Sequence, residues 1–335
     1  MKAAGRRDEN DGPATFDAFL ALACPGLDLA WRKYRRRDAR HAVLARMREL
    51  GLPDYASYLD LLRRDPAEAA GLADRMRVTV TRFFRERERW QVLAERVLPE
   101  LVAAASGPRP IVRAWSAGCC GGEEPYTLAI LWLERIAPAA PDASLEILGT
   151  DIDEPSLARA RAGLYPASAL REVPPGVRER WFGREGPAWR VADAARRMVR
   201  LENRNLMSDP VPSATDLVLC RYLPFTYFTG TRRHEAARRL WSALRPDGAL
   251  MIGRKEGLHR RISSCSRRGR MRRASSGGAV SRRRRPPSAR PRADGHGPCE
   301  AAEDGDERLA AHDQGHGGVL AGGPPARRRP DHVGA

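Results

Sequence analysis

The spacing of apolar residues along the chain changes near residue 106. Before this point, apolar side chains recur every three or four residues, as in segments 16–22 and 90–101, which predicts amphipathic helices. Beyond it, short and nearly continuous apolar runs, such as 111–115 and 217–220, alternate with longer helical stretches. This alternation is typical of a mostly parallel sheet that is covered by helices on both faces.

The pattern predicts an α/β protein built from two folded parts. We expect a small all-α domain first and a Rossmann-like domain after it, with an insertion where the gap between apolar runs is too long for a simple crossover. The expected divisions are a disordered segment 1–13, a helical domain 14–105 with its own core, a sheet domain 106–258 with an inserted subdomain at about 163–197, and a disordered tail 259–335.

The distribution of charge affects the predicted domain organisation mainly at the C-terminal end of the chain. The 335 residues include 59 Lys+Arg and 42 Asp+Glu, and the formal charge of +17 by itself suggests a nucleic-acid partner. From His259 onward, however, the chain has 17 arginines against eight acidic residues and contains no Phe, Tyr or Trp. Such a segment buries too little apolar surface to offset its ordering entropy. We therefore expect a disordered tail and no nucleic-acid binding.

Other features of the sequence favour a cytoplasmic location. Residues 1–13 lack the apolar stretch of a signal peptide, and no run approaches the roughly 18 apolar residues of a membrane span. The six cysteines show neither the spacing of a zinc site nor that of a disulfide framework. We expect a cytoplasmic protein without membrane insertion or a bound metal, and a monomer.

The strongest local motif is SAGCCGGEE at residues 116–124, between a predicted strand and a predicted helix. Glycines such as Gly118 let the backbone approach a ligand, and doubly wound sheets bind their ligands at this edge. The motif is neither a dinucleotide fingerprint nor a P-loop, and its two glutamates would repel a pyrophosphate. The alternative is a helix that carries acidic residues in its first turn because they suit the helix dipole.

A second acidic cluster, Asp151 and Asp153, follows the second predicted strand. An acidic residue at this place commonly binds ribose hydroxyls, whereas an aspartate before Glu154-Pro155 is also a good helix N-cap. Both roles are compatible if Asp151 binds the ligand and Asp153 caps the helix. A glycine loop with acidic partners and no phosphate-binding pattern points to S-adenosylmethionine, which has a ribose and a sulfonium but no phosphate.

Several motifs in a fixed order give the chain a specific resemblance. They are TVTRFFRE at 79–86, GEEPY at 122–126, TDID at 150–153, Asn205-Leu206, Leu219-Cys220-Arg221 with Tyr227-Phe228, and LRPDG at 244–248. Over residues 14–258 the sequence resembles the CheR-type chemotaxis receptor methyltransferases. The resemblance implies a helical domain joined to an S-adenosylmethionine-dependent methyltransferase domain. The implied activity forms glutamate methyl esters on the acidic helical bundle of methyl-accepting chemotaxis receptors.

The resemblance also implies roles for individual residues. Arg85 and Tyr227 would be catalytic, with Arg85 holding the substrate carboxylate and Tyr227 lying near the transferred methyl group. Taken with the loop and strand-end motifs, it leads us to expect cofactor contacts from Thr79, Thr81, Arg85, Gly118, Glu124, Asp151, Asn205, Leu206, Arg221 and Tyr222. Two of these depart from the family, which usually has Asn in place of both Thr79 and Tyr222.

The residues leave several alternatives open. Arg85 would otherwise form a surface salt bridge with Glu86 or Glu88, whereas the aromatics of segment 83–90 are expected to be core. The basic stretch 32–37 is interpreted as a solvated helix face, as a docking site for an acidic receptor, or, last, as a nucleic-acid contact. A CheR-like regulator that binds cofactor or partner without methyl transfer is the alternative function. A methyltransferase of another protein or of nucleic acid is the third.

The tail has two interpretations. We favour a change of reading frame near Leu258, because GC-rich DNA read out of frame yields such an Arg/Gly/Pro-rich composition. The predicted strand at 249–252 would then form an unprotected sheet edge, since no strand pattern follows it. The alternative is a genuine basic tail that binds an acidic partner.

Overall fold

The computed structural model describes residues 15–76, 81–105, 107–257 and 280–282, which all lie in one compact unit. Its first four helices are α1 (Phe16–Ala23), α2 (Arg37–Glu49), α3 (Tyr55–Arg64) and α4 (Pro66–Arg75), with short 3-10 turns at Pro25–Leu27 and Trp31–Lys33. They pack around one apolar cluster that includes Phe19, Tyr58 and Leu72. The predicted all-α part is therefore present, and none of the described helices is long and apolar enough to cross a bilayer.

A second helical stretch consists of α5 (Arg87–Val92), a π-helical turn (Leu93–Val97) and α6 (Leu98–Ala104). Its buried side chains, among them Trp90 and Leu98, pack with Val112 in the core of the sheet and not with the first four helices. The expectation that 14–105 shares one helical core is corrected here. Helical periodicity identifies the face that is buried but not the layer that covers it.

The remaining elements alternate between strands and helices. The strands are β1 (Ile111–Ala117), β2 (Ser144–Asp151), β3 (Leu164–Pro166), β4 (Phe182–Glu185), β5 (Ala188–Val191), β6 (Val199–Asn203), β7 (Thr215–Leu219), β8 (Leu244–Met251) and β9 (Val280–Arg282). The helices are α7 (Glu123–Leu131, continued by a π-helical turn at Trp132–Ile136), α8 (Glu154–Ala162), α9 (Pro175–Trp181), α10 (Asp193–Arg196), α11 (Pro224–Tyr227) and α12 (Gly230–Ala243), with a 3-10 turn at Ala167–Leu170.

The central sheet has the strand order β6-β2-β1-β7-β8-β9, and its first five strands are parallel. β1 pairs with β2 on one side and with β7 on the other, so the winding of the sheet reverses at β1. Ligands of such sheets bind in the crevice at the carboxyl end of this switch point. The fold therefore places the candidate site where β1, β2 and β7 end.

The segment predicted as an insertion, 163–197, contains a second sheet. This sheet is antiparallel, with the strand order β3-β5-β4. Tyr165 and Phe182 from this sheet pack edge-to-face on Phe83, with ring centroids 4.7 and 4.9 Å apart. Phe83 is fully buried, in agreement with its expected place in the core.

The edge of the central sheet differs from the sequence expectation. Residues 280–282 form β9, which pairs antiparallel with β8 in the register Leu250↔Ser281. The expectation of an unprotected edge with no strand after 258 is thus wrong at these three residues. Three residues are too few to show a period, and a sheet edge has unpaired N–H and C=O groups that an extended segment can pair with. The rest of the tail, and the predicted disorder of 1–13, lie outside the described residues.

Backbone hydrogen bonds join the first helical layer, residues 15–76, to the segment between α11 and α12, which follows β7. The Thr229 N–H donates to the Asp28 carbonyl at 2.7 Å, and the Ala30 N–H donates to the Tyr227 carbonyl at 2.9 Å. Asp28 Oδ2 also accepts from the Arg232 N–H at 3.1 Å. Gly230 has φ of +45°, and a Cβ there would lie 2.2 Å from Asp28 Oδ1. The close approach therefore requires glycine at 230.

Replacing Gly230 with alanine is expected to destabilise the protein by about 1–3 kcal/mol, because the new Cβ meets Asp28 and the left-handed conformation is strained. Urea unfolding measures the change. Gly71→Ala is the matched control: nothing lies within 4 Å of a Cβ there, and alanine within α4 should stabilise by roughly 0.5–1 kcal/mol. Equal changes in the free energy of unfolding for Gly230→Ala and Gly71→Ala would contradict the close approach of Gly230 to Asp28.

Candidate active site

The carboxyl ends of β1, β2 and β7 open into a cavity of about 360 Å³ that is also lined by residues from the first helical layer. Most residues that the sequence predicted for the site line it: Thr81, Arg85, Gly118, Glu124, Asp151, Asn205, Leu206, Arg221, Tyr222 and Tyr227. Thr79 lies outside the described residues. Motifs that are distant in sequence come together because parallel strands end at one edge of the sheet.

The turn after β1 forms one wall of this cavity. The N–H groups of Gly118 and Cys119 donate to the Thr150 carbonyl at 2.8 and 3.0 Å, which holds the turn against β2. Gly118 has φ of +76°, and a Cβ there would lie 2.6 Å from Leu223 Cδ2. A side chain at 118 would be strained and would displace Leu223. Glycine thus keeps this wall open to a ligand.

Asp151 ends β2 and faces the cavity. Its Oδ2 accepts from the Cys120 N–H at 2.8 Å and its Oδ1 from the Asp153 N–H at 2.9 Å. Burial raises the pKa of the Asp151 carboxyl, although these two N–H groups oppose the shift. Asp153 caps α8 by accepting from the Ser156 N–H at 3.0 Å. The two aspartates therefore differ in place, and each Asp151 oxygen keeps a lone pair for a ligand hydroxyl.

Glu124, in the first turn of α7, is buried between two polar groups. Its Oε1 accepts from Ser116 Oγ at 2.8 Å, and its Oε2 lies 3.4 Å from Arg221 Nη1. Burial raises the pKa of Glu124, whereas the charge of Arg221 acts in the opposite direction. The pair gives the cavity a carboxylate beside a cation, an arrangement that suits a ligand carrying both an ammonium and a carboxylate group.

Glu123, the neighbouring residue, has no such partner. It is 8% exposed, and within the described part of the chain its Oε2 has no hydrogen-bond partner. Burial raises the pKa of its carboxyl to about 7. Between the unfolded pKa and about 7, the folded state holds a proton that the unfolded state has lost. The stability that this group contributes is therefore present at low pH and lost as the pH rises through about 7.

The change Glu123→Gln tests this protonation state. Relative to the wild type, the variant should gain about 3 kcal/mol in free energy of unfolding between pH 4.5 and pH 8, because glutamine cannot ionise. Urea unfolding at the two pH values measures the gain, with the exposed Glu179→Gln as control. If the free energies of unfolding of wild type and variant differ by the same amount at both pH values, a protonated, buried Glu123 is contradicted.

Arg85 stacks on an aromatic ring in the cavity. Its Cζ lies 3.9 Å from the centroid of the Tyr222 ring. The alternative of a salt bridge between Arg85 and Glu86 is not formed, since Glu86 pairs instead with Arg221 at 2.9 Å and with Arg89 at 3.5 Å. Among the described residues, no carboxylate pairs with the Arg85 guanidinium. This cation is therefore available to a ligand.

Tyr222 has a left-handed backbone, with φ of +57°. Its N–H donates to Glu256 Oε2 at 2.8 Å, and its hydroxyl contacts Glu86 Oε1. Asn tolerates the left-handed region better than most residues, which gives a physical reason for the Asn that the family usually has here. Tyr222 occupies the same conformation and adds a ring to the cavity wall.

Tyr227 lies where the sheet meets the first helical layer. Its ring centroid is 5.4 Å from that of Tyr34, and its hydroxyl lies 3.5 Å from Arg36 Nη1. Sequence reasoning missed Tyr34 and Arg36 as cavity residues, because their place depends on how the two layers pack. Both residues belong to the basic stretch 32–37, so this stretch is not simply a solvated face: Tyr34 is buried, and Tyr34 and Arg36 line the cavity.

Two glutamates beside the cavity were also missed, of which Glu256 is buried and Glu86 is mostly buried. Glu86 is described above, and Glu256 accepts from the N–H of Gly253 at 2.7 Å and from Thr226 Oγ1 at 2.6 Å. The signal for Glu86 was its place directly after the FFR motif. Glu256 follows β8 in a family-like segment, which marked the segment but not the residue.

These groups fit S-adenosylmethionine. Asp151 and Glu124 accept hydrogen bonds from hydroxyl and ammonium groups, Leu206 adds apolar surface for a base, and the acidic start of α7 disfavours phosphate. A doubly wound sheet with this cavity at its switch point and these acidic groups in its lining is the arrangement expected of an S-adenosylmethionine-dependent methyltransferase.

Comparison with known proteins names the family. Residues 79–269 match the model "CheR methyltransferase, SAM binding domain", and residues 26–76 match "CheR methyltransferase, all-alpha domain". The chain belongs to the CheR methyltransferase family, which confirms the resemblance drawn from the sequence motifs, and its cofactor is S-adenosylmethionine.

Three relatives show the extent of the similarity. An uncharacterised 104.1 kDa protein of Rhodobacter capsulatus is 34% identical over 225 residues, which are 67% of this chain and 23% of that protein. A chemotaxis protein methyltransferase of Listeria monocytogenes is 30% identical over 69% of this chain and 84% of its own. A probable chemotaxis protein methyltransferase of Rhizobium etli is 37% identical over 63% of this chain and 80% of its own. The chain thus spans less than a quarter of the first relative and most of the other two.

Proposed function

We propose that the protein transfers a methyl group from S-adenosylmethionine to a glutamate side chain on the cytoplasmic domain of a methyl-accepting chemotaxis receptor. The observation that carries this proposal is the Arg85 guanidinium, which faces the cavity and has no carboxylate partner among the described residues. A guanidinium beside a methyl donor suits a carboxylate substrate. The names of the Listeria and Rhizobium relatives support a role in chemotaxis.

The bound cofactor supplies an electrophilic methyl group, and its sulfonium becomes a neutral thioether when that methyl is transferred. The chain needs no general base, because a glutamate carboxylate has an ordinary pKa of about 4.3 and is ionised at neutral pH. A C–O bond forms as the S–C bond breaks, and no proton moves. The work of the chain is to orient the carboxylate and to exclude water.

Arg85 and Tyr227 bind and orient the substrate carboxylate. Arg85 binds one carboxylate oxygen, which leaves the other oxygen to face the methyl group. Burial raises the pKa of the Tyr227 phenol, so that it remains a hydrogen-bond donor to the substrate. The attacking carboxylate and the sulfonium carry opposite charges that both disappear in the transfer. A cavity shielded from water therefore lowers the barrier.

An acidic partner fits the surface beside the cavity. Arg32, Lys33, Arg35 and Arg37 are exposed next to the cavity residues Tyr34 and Arg36. Complementary charge speeds the encounter with an acidic helical bundle. We further propose that the protein acts in the cytoplasm as a monomer. The alternative of a regulator without methyl transfer is not favoured, because Tyr222 lines the cavity without filling it.

The test is transfer of labelled methyl groups from S-adenosylmethionine to receptor cytoplasmic fragments by the full chain. We expect label on the fragment and its complete release in mild alkali, because methyl esters hydrolyse there and N-methyl groups do not. Label that survives alkali would contradict a carboxylate acceptor. A fragment whose glutamates are changed to alanine is the control and should take up no label.

A further inference from the structure

The carboxylate of Glu86 joins four groups from separate parts of the chain. It pairs with Arg221 Nη2 at 2.9 Å and with Arg89 Nε at 3.5 Å. Both of its oxygens accept from the Arg254 N–H at 3.1 Å, and Oε1 contacts the Tyr222 hydroxyl. Glu86 thus connects the start of α5 with the ends of β7 and β8.

This contact is well shielded from water. The side chain of Glu86 is 13% exposed and that of Arg221 is 5% exposed. Burial alone would raise the pKa of Glu86, but the hydrogen bond from Tyr222 and the charge of Arg221 lower it below its ordinary value. Glu86 is therefore a carboxylate at neutral pH, and its charge acts on these neighbours with little screening.

The backbone at both ends of the contact is strained. Glu86 and Tyr222 have φ of +64° and +57°. These values lie in the left-handed region of the backbone, which residues other than glycine and asparagine seldom occupy. Conformations of this kind persist where the surrounding structure over-determines them, and they cluster at functional sites. The strain here coincides with a hydrogen bond between the two side chains.

Both paths from Glu86 lead to Arg85. On one path, Arg221 Nη2, which Glu86 binds, also donates to the Arg85 carbonyl at 2.7 Å and so fixes the Arg85 backbone. On the other path, the Tyr222 hydroxyl contacts Glu86, and the Tyr222 ring lies 3.9 Å beneath the Arg85 guanidinium. One carboxylate therefore determines both the main chain and the cationic head of Arg85.

We propose that Glu86 is a positioning residue that fixes Arg85 in the cavity from two sides, through Arg221 on its backbone and through Tyr222 on its guanidinium. The inference rests on the proposed function, in which Arg85 binds the substrate carboxylate. Because Arg221 also reaches Glu124, removing the charge of Glu86 disturbs cofactor binding as well. The hydroxyl of Tyr222 contacts Glu86 directly, so its removal leaves the contact between Glu86 and Arg221 in place and keeps the ring that lines the cavity.

The experiment compares Glu86→Gln, Tyr222→Phe and the double variant in the full chain. The readouts are kcat and KM for a receptor fragment and the Kd for S-adenosylhomocysteine by calorimetry. We expect Tyr222→Phe to lower kcat about fivefold and leave the Kd within twofold. Glu86→Gln should lower kcat about 30-fold and raise the Kd about fivefold. The double variant should resemble Glu86→Gln, because the two groups act as one unit.

Glu88→Gln is the matched control, since Glu88 is exposed on the same helix; all of its values should stay within twofold of the wild type. A Tyr222→Phe variant with wild-type kcat, or single effects that multiply in the double variant, would overturn the inference. A lower stoichiometry of S-adenosylhomocysteine binding in Glu86→Gln, with Kd and KM unchanged, would also overturn it, because the loss of kcat would then come from a misfolded fraction of the protein.

If the wild type methylates no receptor fragment, the proposed function fails and the role of Glu86 is decided by the Kd values. A fivefold higher Kd for Glu86→Gln, together with an unchanged Kd for Glu88→Gln, would then support the ion pair between Glu86 and Arg221 as a determinant of cofactor binding. An unchanged Kd in Glu86→Gln overturns it.

Discussion

Replacing Arg85 with alanine is expected to lower kcat/KM for a receptor fragment by about 100–1,000-fold. The Arg85 guanidinium rests on the Tyr222 ring and has no carboxylate partner within the described residues, so its binding capacity is available to the substrate. Removing one member of a desolvated, charge-assisted pair costs about 2–5 kcal/mol, or about 30- to 5,000-fold in rate, and the expected loss lies in the middle of this range. Initial rates of methyl transfer at varied fragment concentration measure it.

Two variants complete this test. Arg85→Lys keeps the charge but loses the planar fork, and we expect it to recover at most a tenth of the wild-type rate. Arg96→Ala removes an exposed arginine from the helical stretch that follows Arg85 and should leave the rate within twofold. An Arg85→Ala variant that retains more than a third of the wild-type kcat/KM would contradict the assignment of Arg85 to the substrate carboxylate.

Replacing Asp151 with alanine is expected to weaken S-adenosylmethionine binding about 100-fold. The change removes the acceptors for the ribose hydroxyls and also leaves the buried N–H of Cys120 without its partner. Asp151→Asn keeps the shape and one acceptor oxygen, and should weaken binding about tenfold. Titration calorimetry with the full chain measures both constants.

The exposed Asp142→Asn serves as the control for this series and should bind as the wild type does. An Asp151→Ala variant with an unchanged dissociation constant would show that the cofactor does not bind at the end of β2. A loss confined to Asp153→Ala would instead move the role to the residue that caps α8.

The sequence was sufficient for features that depend on local pattern and strand direction. Apolar runs located the five parallel strands, and the motifs that follow the first two predicted that Gly118 and Asp151 would meet at one edge, whereas the place of Arg221 was implied by the family resemblance. An Asp-Pro pair is a local signal for the start of a helix, and α4 begins at Pro66 with Asp65 Oδ1 accepting from the Ala67 N–H at 2.9 Å. These features need no knowledge of how the layers pack.

Other features could not be predicted because they depend on packing between distant segments. Arg36 reaches the cavity only because Asp28 and Ala30 bind the backbone around Tyr227. Glu86 was an alternative salt-bridge partner for its neighbour Arg85, but the left-handed turn at Glu86 directs its carboxylate to Arg221 instead. Sequence adjacency is a poor guide where the backbone reverses.

The most direct test of the proposed carboxylate substrate identifies the residue that receives the methyl group. The full chain is incubated with S-adenosylmethionine and a receptor cytoplasmic fragment, and the digested fragment is analysed by tandem mass spectrometry. We predict a mass increase of one methylene on glutamate side chains, removed by mild alkali and absent with Arg85→Ala. A methyl group on lysine, arginine or a backbone amine, or no increase on any glutamate, would contradict the assignment of a carboxylate substrate to this cavity.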